Sequence, residues 1–299
     1  MYSILNLDSE ELIRDETLGT KTKYWFKQQD KFWLYKEARE NTGEDWSEKI
    51  AAEFALLLDI SAATVELSEY SGKRGCACLS FLDHQKRDVL IHGNEILAGQ
   101  VLVYDVNKKF HQSQHTLENI QHAICSLFKD PETNEDILTH LASYLVLDAL
   151  IGNTDRHHEN WGLMLTQTPQ GTESKILLKL QVAPTFDHAS SLGRELRDEK
   201  RSLYLKQGNI ETYIRKGRGA IFLSENDKYG ANPLRLVEFG TNKISQHFLP
   251  SLIKLKKVKI EKLHAIIESV PNARMSTISK EFTKAFVSYS HEALCKLVK

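Results

Sequence analysis

The chain has 299 residues, 26% charged and 41% hydrophobic, a globular composition that excludes a disordered tail, a collagen-like repeat and a membrane protein, since no run approaches the roughly 20 apolar residues that span a bilayer. The net charge of −1 argues against nucleic acid as an obligate partner, although residues 241–299 carry 11 Lys/Arg against 4 Asp/Glu, a bias that reads as a solvated helical face or as a surface that steers an acidic partner. The acidic start MYSILNLDSEELIRDE fits neither a signal nor a transit peptide, and four cysteines without a CxxC pair (Cys76, Cys78, Cys125, Cys295) fit a reducing cytoplasm.

Residues 21–36 hold two aromatic and branched runs around the polar KQQD, the pattern of a β-hairpin. The turn at 41–45 precedes a helix in which Trp46, Ile50, Phe54 and Leu57 recur at helical spacing, with Asp45 as its expected N-cap. Two strand-like runs follow at 63–67 and 76–82, so residues 1–83 form a β-rich unit. From 84 to 299 the expectation is mostly helical. Residues 134–153 put Ile137, Leu141, Tyr144, Asp148 and Ile151 on one helix face and stop at Gly152. Two short strands at 161–167 and 174–182 flank a Pro/Gly turn, and 201–299 reads as helices. The fold class is α+β: a small β-rich lobe, a larger α-helical lobe, and between them a cleft suited to a nucleotide.

The loop 152–160 holds the most chemistry. Asp155 and Asn160 lie in it, and Asp187 follows 27 residues after Asn160 beyond a second short strand. The three can converge at the ends of one hairpin. Two carboxylates and an amide suit phosphoryl transfer, in which one carboxylate takes the proton of the attacking hydroxyl and the other two groups hold Mg²⁺. The same scheme asks for a strand cation and a helical carboxylate. Lys36 ends the second hairpin strand, and Glu48 or Glu53 lies on the next helix; the two glutamates project about 140° apart, so only one can face Lys36. Lys36 also reads as a plain solvated strand-end lysine. Asp148, on an apolar face, reads as a buried brace for Arg156, His157 or loop amides. His188 is expected to cap the following segment, and Trp46 and Trp161 to belong to the core.

The stretches GTKTK, WLYK, TGEDWSEKIA, LIGNTDRHHEN and FD resemble the HipA-like serine/threonine kinases, bacterial toxin or effector kinases with a eukaryotic-like two-lobed protein-kinase fold, from about residue 15 to about residue 250. The resemblance implies ATP and Mg²⁺ as cofactors, Asp155 as the catalytic aspartate, and Asn160 and Asp187 as metal ligands. It implies that Lys36 touches the α/β-phosphates and pairs with Glu48, that Gly19, Lys21 and Lys23 form the phosphate loop, that Leu79, Ser80 and Phe81 receive adenine, and that His157 lies among the ATP-contacting residues. This chain departs from the kinase pattern in having no GxGxxG, in reading Asn153-Thr154-Asp155 for His-Arg-Asp, and in reading Asp187-His188-Ala189 for Asp-Phe-Gly. Glu16 stands where the family has its autophosphorylated serine, which leaves Thr17, Thr20 and Thr22 as nearby hydroxyls. The chain resembles the short, split form of the family. Its implied partners are a protein substrate, such as an aminoacyl-tRNA synthetase or another translation factor, and a small antitoxin or N-subdomain-like protein. The implied setting is the cytoplasm, or a host cell for a secreted effector. Asp155-Arg156-His157-x-x-Asn160 also resembles the loop of phosphoinositide lipid kinases. Other readings are a Zn²⁺ or Mn²⁺ hydrolytic site on the same loop and an inactive kinase-fold binding module.

Overall fold

Alternating aromatic residues build the first sheet in the computed structural model, which describes residues 1–15, 22–83, 87–170 and 175–298. The strands are β1 (Ile4–Leu7), β2 (Leu12–Asp15), β3 (Lys23–Gln28) and β4 (Lys31–Glu37), then, after helix α1 (Glu44–Leu57), β5 (Val65–Tyr70) and β6 (Lys73–Leu79). They are ordered β1-β5-β6-β4-β3-β2, with β1 parallel to β5 and the other neighbours antiparallel. The expected hairpin is β3–β4. Its turn residues Gln29 and Asp30 have φ of 49° and 59°, the left-handed pair whose twist matches two antiparallel strands. Side chains alternate across a strand. Tyr35 therefore packs with Leu7, Phe26 and Ala77 on one face, while its neighbour Lys36 emerges, 7% exposed, on the other face beneath α1.

Helix α1 corrects one expectation. Its N-cap is Gly43, not Asp45. The Trp46 ring folds back over Gly43 so closely that a Cβ there would lie 1.9 Å from it. Asp45 is instead fully buried, with its carboxylate 2.9 Å from Arg74 and 3.3 Å from Arg274. The strand expected at 76–82 runs from Lys73 and ends at Leu79. The Ser80 hydroxyl accepts from Leu82 N at 3.3 Å, a local turn that competes with the ladder.

Beyond the sheet come β7 (Val89–His92), α2 (Gly93–Ala98), α3 (Leu117–Leu127), α4 (Pro131–Ile151), β8 (Gly162–Gln170), β9 (Lys175–Val182), α5 (Asp198–Gln207), α6 (Ile210–Lys216), α7 (Pro233–Lys243), α8 (Ser245–Lys257), α9 (Ile260–Glu268) and α10 (Thr277–Cys295). Strand β7 lies where a helical region was expected; it joins β8 and β9 in a three-stranded antiparallel sheet. Four residues are too few to display a period. Helix α4 starts with Pro131 behind the Asp130 cap, whose carboxylate accepts from Thr133 N at 3.0 Å. It stops at Gly152, where φ is 65° and a Cβ would meet the Phe286 ring at 2.4 Å, so both the backbone and the space require glycine. Every residue of α4 from Leu141 to Ile151 is buried, as in a helix surrounded by others. Its neighbours are α1, α3, α7, α8, α10 and strand β9. Trp46 and Trp161 are core residues, and the free thiols of Cys76 and Cys78 sit with Ala52 and Val65. The basic excess near the C-terminus is partly paired on the surface, as in Lys254–Asp59 and Lys296–Glu292. No helix among the described residues is long and apolar enough to cross a membrane.

Candidate active site

The first two turns of α1 bury Glu44, Asp45, Glu48 and Lys49, and a buried charge needs a partner. Lys49 Nζ meets Val65 O at 2.7 Å, Glu53 Oε1 at 2.8 Å and Glu66 Oε2 at 2.9 Å. Glu53 is therefore turned toward Lys49. Glu48 faces the sheet, with Oε1 3.8 Å from Lys36 Nζ, and Lys36 donates to Asp187 Oδ1 at 3.0 Å. Burial pulls the Lys36 ammonium toward neutrality, but the carboxylates of Asp187 and Glu48 outweigh it and hold its pKa well above the ordinary lysine value. The second Glu48 oxygen is buried with no hydrogen-bond partner among the described residues. The His188 carbonyl accepts from Ser191 Oγ at 2.8 Å in the segment that follows. The His188 ring lies behind Glu48, Nδ1 to Oε1 3.9 Å, with Nε2 2.9 Å from Thr185 Oγ1. Burial, aided by the Arg156 charge, pushes this imidazole down to about 3, so at neutral pH it is an uncharged wall.

Across the cleft, the end of α4 supplies the brace. Arg156 binds Asp148 through two bonds, Nε–Oδ2 2.7 Å and Nη2–Oδ1 2.8 Å, and Asn153 Nδ2 adds a third at 2.8 Å. The remaining Arg156 nitrogen, Nη1, donates to the carbonyls of Asn160 and Phe186. One buried guanidinium thus ties the 152–160 loop to the residue before Asp187. Asn160 donates Nδ2 to Asp155 O at 2.7 Å, which leaves its amide oxygen as the end suited to a cation. Asp187 has φ 61°, a left-handed conformation uncommon for a side-chain-bearing residue and frequent at functional sites.

Lys23, Asp155, His157 and Asp187 line one cleft of about 520 Å³, together with Ser190, Arg194 and Arg218. Lys23 lies directly opposite Lys36 across β3–β4. Ser80 and Phe81 follow β6, and the Phe81 ring is 5.8 Å from that of Phe186, next to Asp187. Gly19 and Lys21, with Glu16, Thr17 and Thr20, lie outside the described residues. Sequence reasoning assigned no role to Glu44, Phe186, Ser190 or Arg194, whose contacts include partners distant in the chain. His157 and His158 diverge, with rings 6.3 Å apart at 89°, and His158 Nδ1 pairs inward with Tyr104 Oη at 2.8 Å. No group of three or more His, Cys, Asp or Glu side chains among the described residues could hold a metal by itself. That removes the ligand set for a hydrolytic zinc site on this loop. An Asp carboxylate and an Asn oxygen, completed by phosphates and water, are the donor chemistry of Mg²⁺.

Comparison with known proteins points one way. The profile of the family described as HipA-like C-terminal domain matches residues 10–248. The serine/threonine-protein kinase CtkA of Helicobacter pylori is 27% identical over 241 residues, 79% of this chain and 66% of that protein, so the chain spans just under two thirds of this relative's length. The crystal structure of the H. pylori proinflammatory kinase CtkA superposes with a TM-score of 0.79 at 21% identity, covering 99% of this chain and 98% of that one. HipA from the Shewanella oneidensis toxin–antitoxin complex with HipB and operator DNA matches with a TM-score of 0.54 at 12% identity, over 97% of this chain and 65% of that one. The shared fold is the two-lobed α+β arrangement described above.

Proposed function

The chain belongs to the HipA-like C-terminal domain family, and from that premise we propose that it is a protein serine/threonine kinase that uses ATP and Mg²⁺. The observation that carries the proposal is Lys36, buried and charged between Glu48 and Asp187, the second of which lines the same cleft as Asp155. Lys23 lies directly opposite Lys36 on the hairpin and lines that cleft, which places a second cation on the side that this reading gives to the phosphates.

In this reading Ser80 and Phe81 receive adenine, and Lys36 contacts the α/β-phosphates with Glu48 holding its long side chain in place. Gly19, Lys21 and Lys23 belong to the phosphate loop, and His157 flanks the nucleotide. Asn160 and Asp187 would hold Mg²⁺, which when bound neutralises phosphate charge as it builds up. Asp155 orients the acceptor hydroxyl and takes its proton as the oxygen bonds to the γ-phosphorus and the bond to ADP breaks. CtkA carries the name of a protein kinase, which favours a protein acceptor over a lipid. The substrate class we carry forward is a translation factor such as an aminoacyl-tRNA synthetase. HipA occurs with HipB in the Shewanella complex, so a small antitoxin-like protein is the partner to seek, with the bacterial cytoplasm as the setting and a host cell as the alternative.

The choice between the two helical glutamates gives a direct expectation. Glu48→Ala should cut phosphotransfer at least tenfold, about 1.4 kcal/mol of transition-state stabilisation, because Lys36 loses its helix-side anchor. Glu53→Ala removes one of the three oxygens that meet Lys49 Nζ and should leave the rate nearly intact. The opposite ranking in a steady-state assay would mean that α1 does not serve Lys36. The function itself is tested by mass spectrometry of phosphorylated proteins in cells expressing the chain or its Asp155→Ala variant. New phosphoserine or phosphothreonine should appear with the first alone. Labelled phosphate entering phosphoinositide instead of protein would overturn the assignment.

A further inference from the structure

Glu44 and Glu48 lie four residues apart, on the same face of α1. Glu48 serves Lys36, and Glu44 reaches the other side of the cleft. Arg194 Nη1 donates to Glu44 Oε1 at 2.6 Å, and Arg39 N donates to Oε2 at 3.0 Å. The second Arg194 nitrogen, Nη2, donates to Ser190 Oγ at 3.2 Å, and Ser190 Oγ lies 3.4 Å from Asp155 Oδ2. A hydroxyl has one hydrogen to give. Because the guanidinium already supplies a proton to Ser190 Oγ, the hydroxyl's own hydrogen goes to the Asp155 carboxylate.

The backbone around this relay is pinned from both sides. Gly43 N donates to Arg194 O at 2.8 Å and Ser47 Oγ to Ser191 O at 3.1 Å, while Thr154 N donates to Ser190 O at 3.2 Å and Leu192 N to Ile151 O at 2.9 Å. Residues 190–194 are therefore stitched to the start of α1 and to the loop that carries Asp155. A proton acceptor works only when its geometry is fixed, and the Ser190 hydroxyl engages one oxygen of the Asp155 carboxylate.

Resting on the kinase reading, the geometry points to Ser190 as a positioning residue for Asp155, held in turn by Arg194 and Glu44. Helix α1 then aligns both halves of the reaction, the phosphate side through Glu48 and the acceptor side through Glu44.

The test uses the full chain and steady-state phosphotransfer with ATP varied, alongside thermal melting. Ser190→Ala should lower kcat about tenfold, the scale of a modest misplacement of a reacting group, with KM for ATP within about twofold of wild type and the melting temperature unchanged. Ser190→Thr keeps the hydroxyl and should restore kcat. Lysine lacks the planar fork by which Arg194 bridges Glu44 and Ser190, so Arg194→Lys should lower kcat as well, and the double variant should be no worse than the poorer single one, as for residues acting through each other. An active wild type with kcat preserved in Ser190→Ala, or with Ser190→Thr as impaired as Ser190→Ala, overturns the inference alone. Additive losses in the double variant overturn it too. Phosphate found on Ser190 after incubation with ATP would make it an acceptor and overturns its positioning role. A wild-type chain that transfers no phosphate overturns this inference and the kinase reading together.

Discussion

Replacing Asp187 with asparagine is expected to lower phosphotransfer a thousandfold or more, about 4 kcal/mol of transition-state stabilisation. The substitution is nearly isosteric and keeps the backbone content, because asparagine tolerates the left-handed φ of 61° found at this position better than other non-glycine residues. What it removes is charge. The Mg²⁺ proposed here loses its charged protein ligand, and Lys36 loses the carboxylate at 3.0 Å while keeping Glu48 at 3.8 Å. The variant should therefore melt close to wild type yet fail to turn over ATP. Full transfer activity in Asp187→Asn would sink the kinase assignment.

The parts of this molecule that could be read from its sequence are those written in short windows. The β3–β4 hairpin follows from two aromatic runs around a polar turn, and the end of α4 follows from a glycine after an apolar helix. The two-lobed α+β fold follows from the order of such pieces. What could not be read depends on partners far along the chain. Asparagine and aspartate are good N-caps, so Asp45 looks like one. Its carboxylate is instead claimed by Arg74, 29 residues away, and Arg274, 229 residues away. Glu44 and Arg194 are 150 positions apart, and Ser190 and Asp155 are 35 apart. Periodicity carries no trace of such pairs. Strand β7 was invisible for a different reason: VLIH is apolar enough for either state and too short to show a period. The turn of Glu53 away from Lys36 became clear only through Lys49, whose ammonium gathers Glu53, Glu66 and a carbonyl of β5.

Asp148→Ala is expected to destabilise the fold by about 3–5 kcal/mol, the range for leaving one member of a buried ion pair alone. Asp148 is 3% exposed and Arg156 4%, so water cannot replace the lost carboxylate, and the two short bonds between them vanish together with the Asn153 contact. At roughly 2–4 °C per kcal/mol for a chain somewhat smaller than this one, the melting temperature should fall by about 10 °C. Asp155→Asn makes the contrast: a half-buried residue on the loop just after α4 whose loss should remove activity and leave melting nearly unchanged. Replacing the pair outright, as Asp148→Leu with Arg156→Met, removes both charges and should recover much of the stability. Activity should stay lost in that double variant, because the tie from Arg156 Nη1 to the carbonyls of Asn160 and Phe186 is gone, and with it the spacing between the Asp155 loop and Asp187. A double variant that regains both stability and phosphotransfer would show that Arg156 only balances Asp148 and positions nothing.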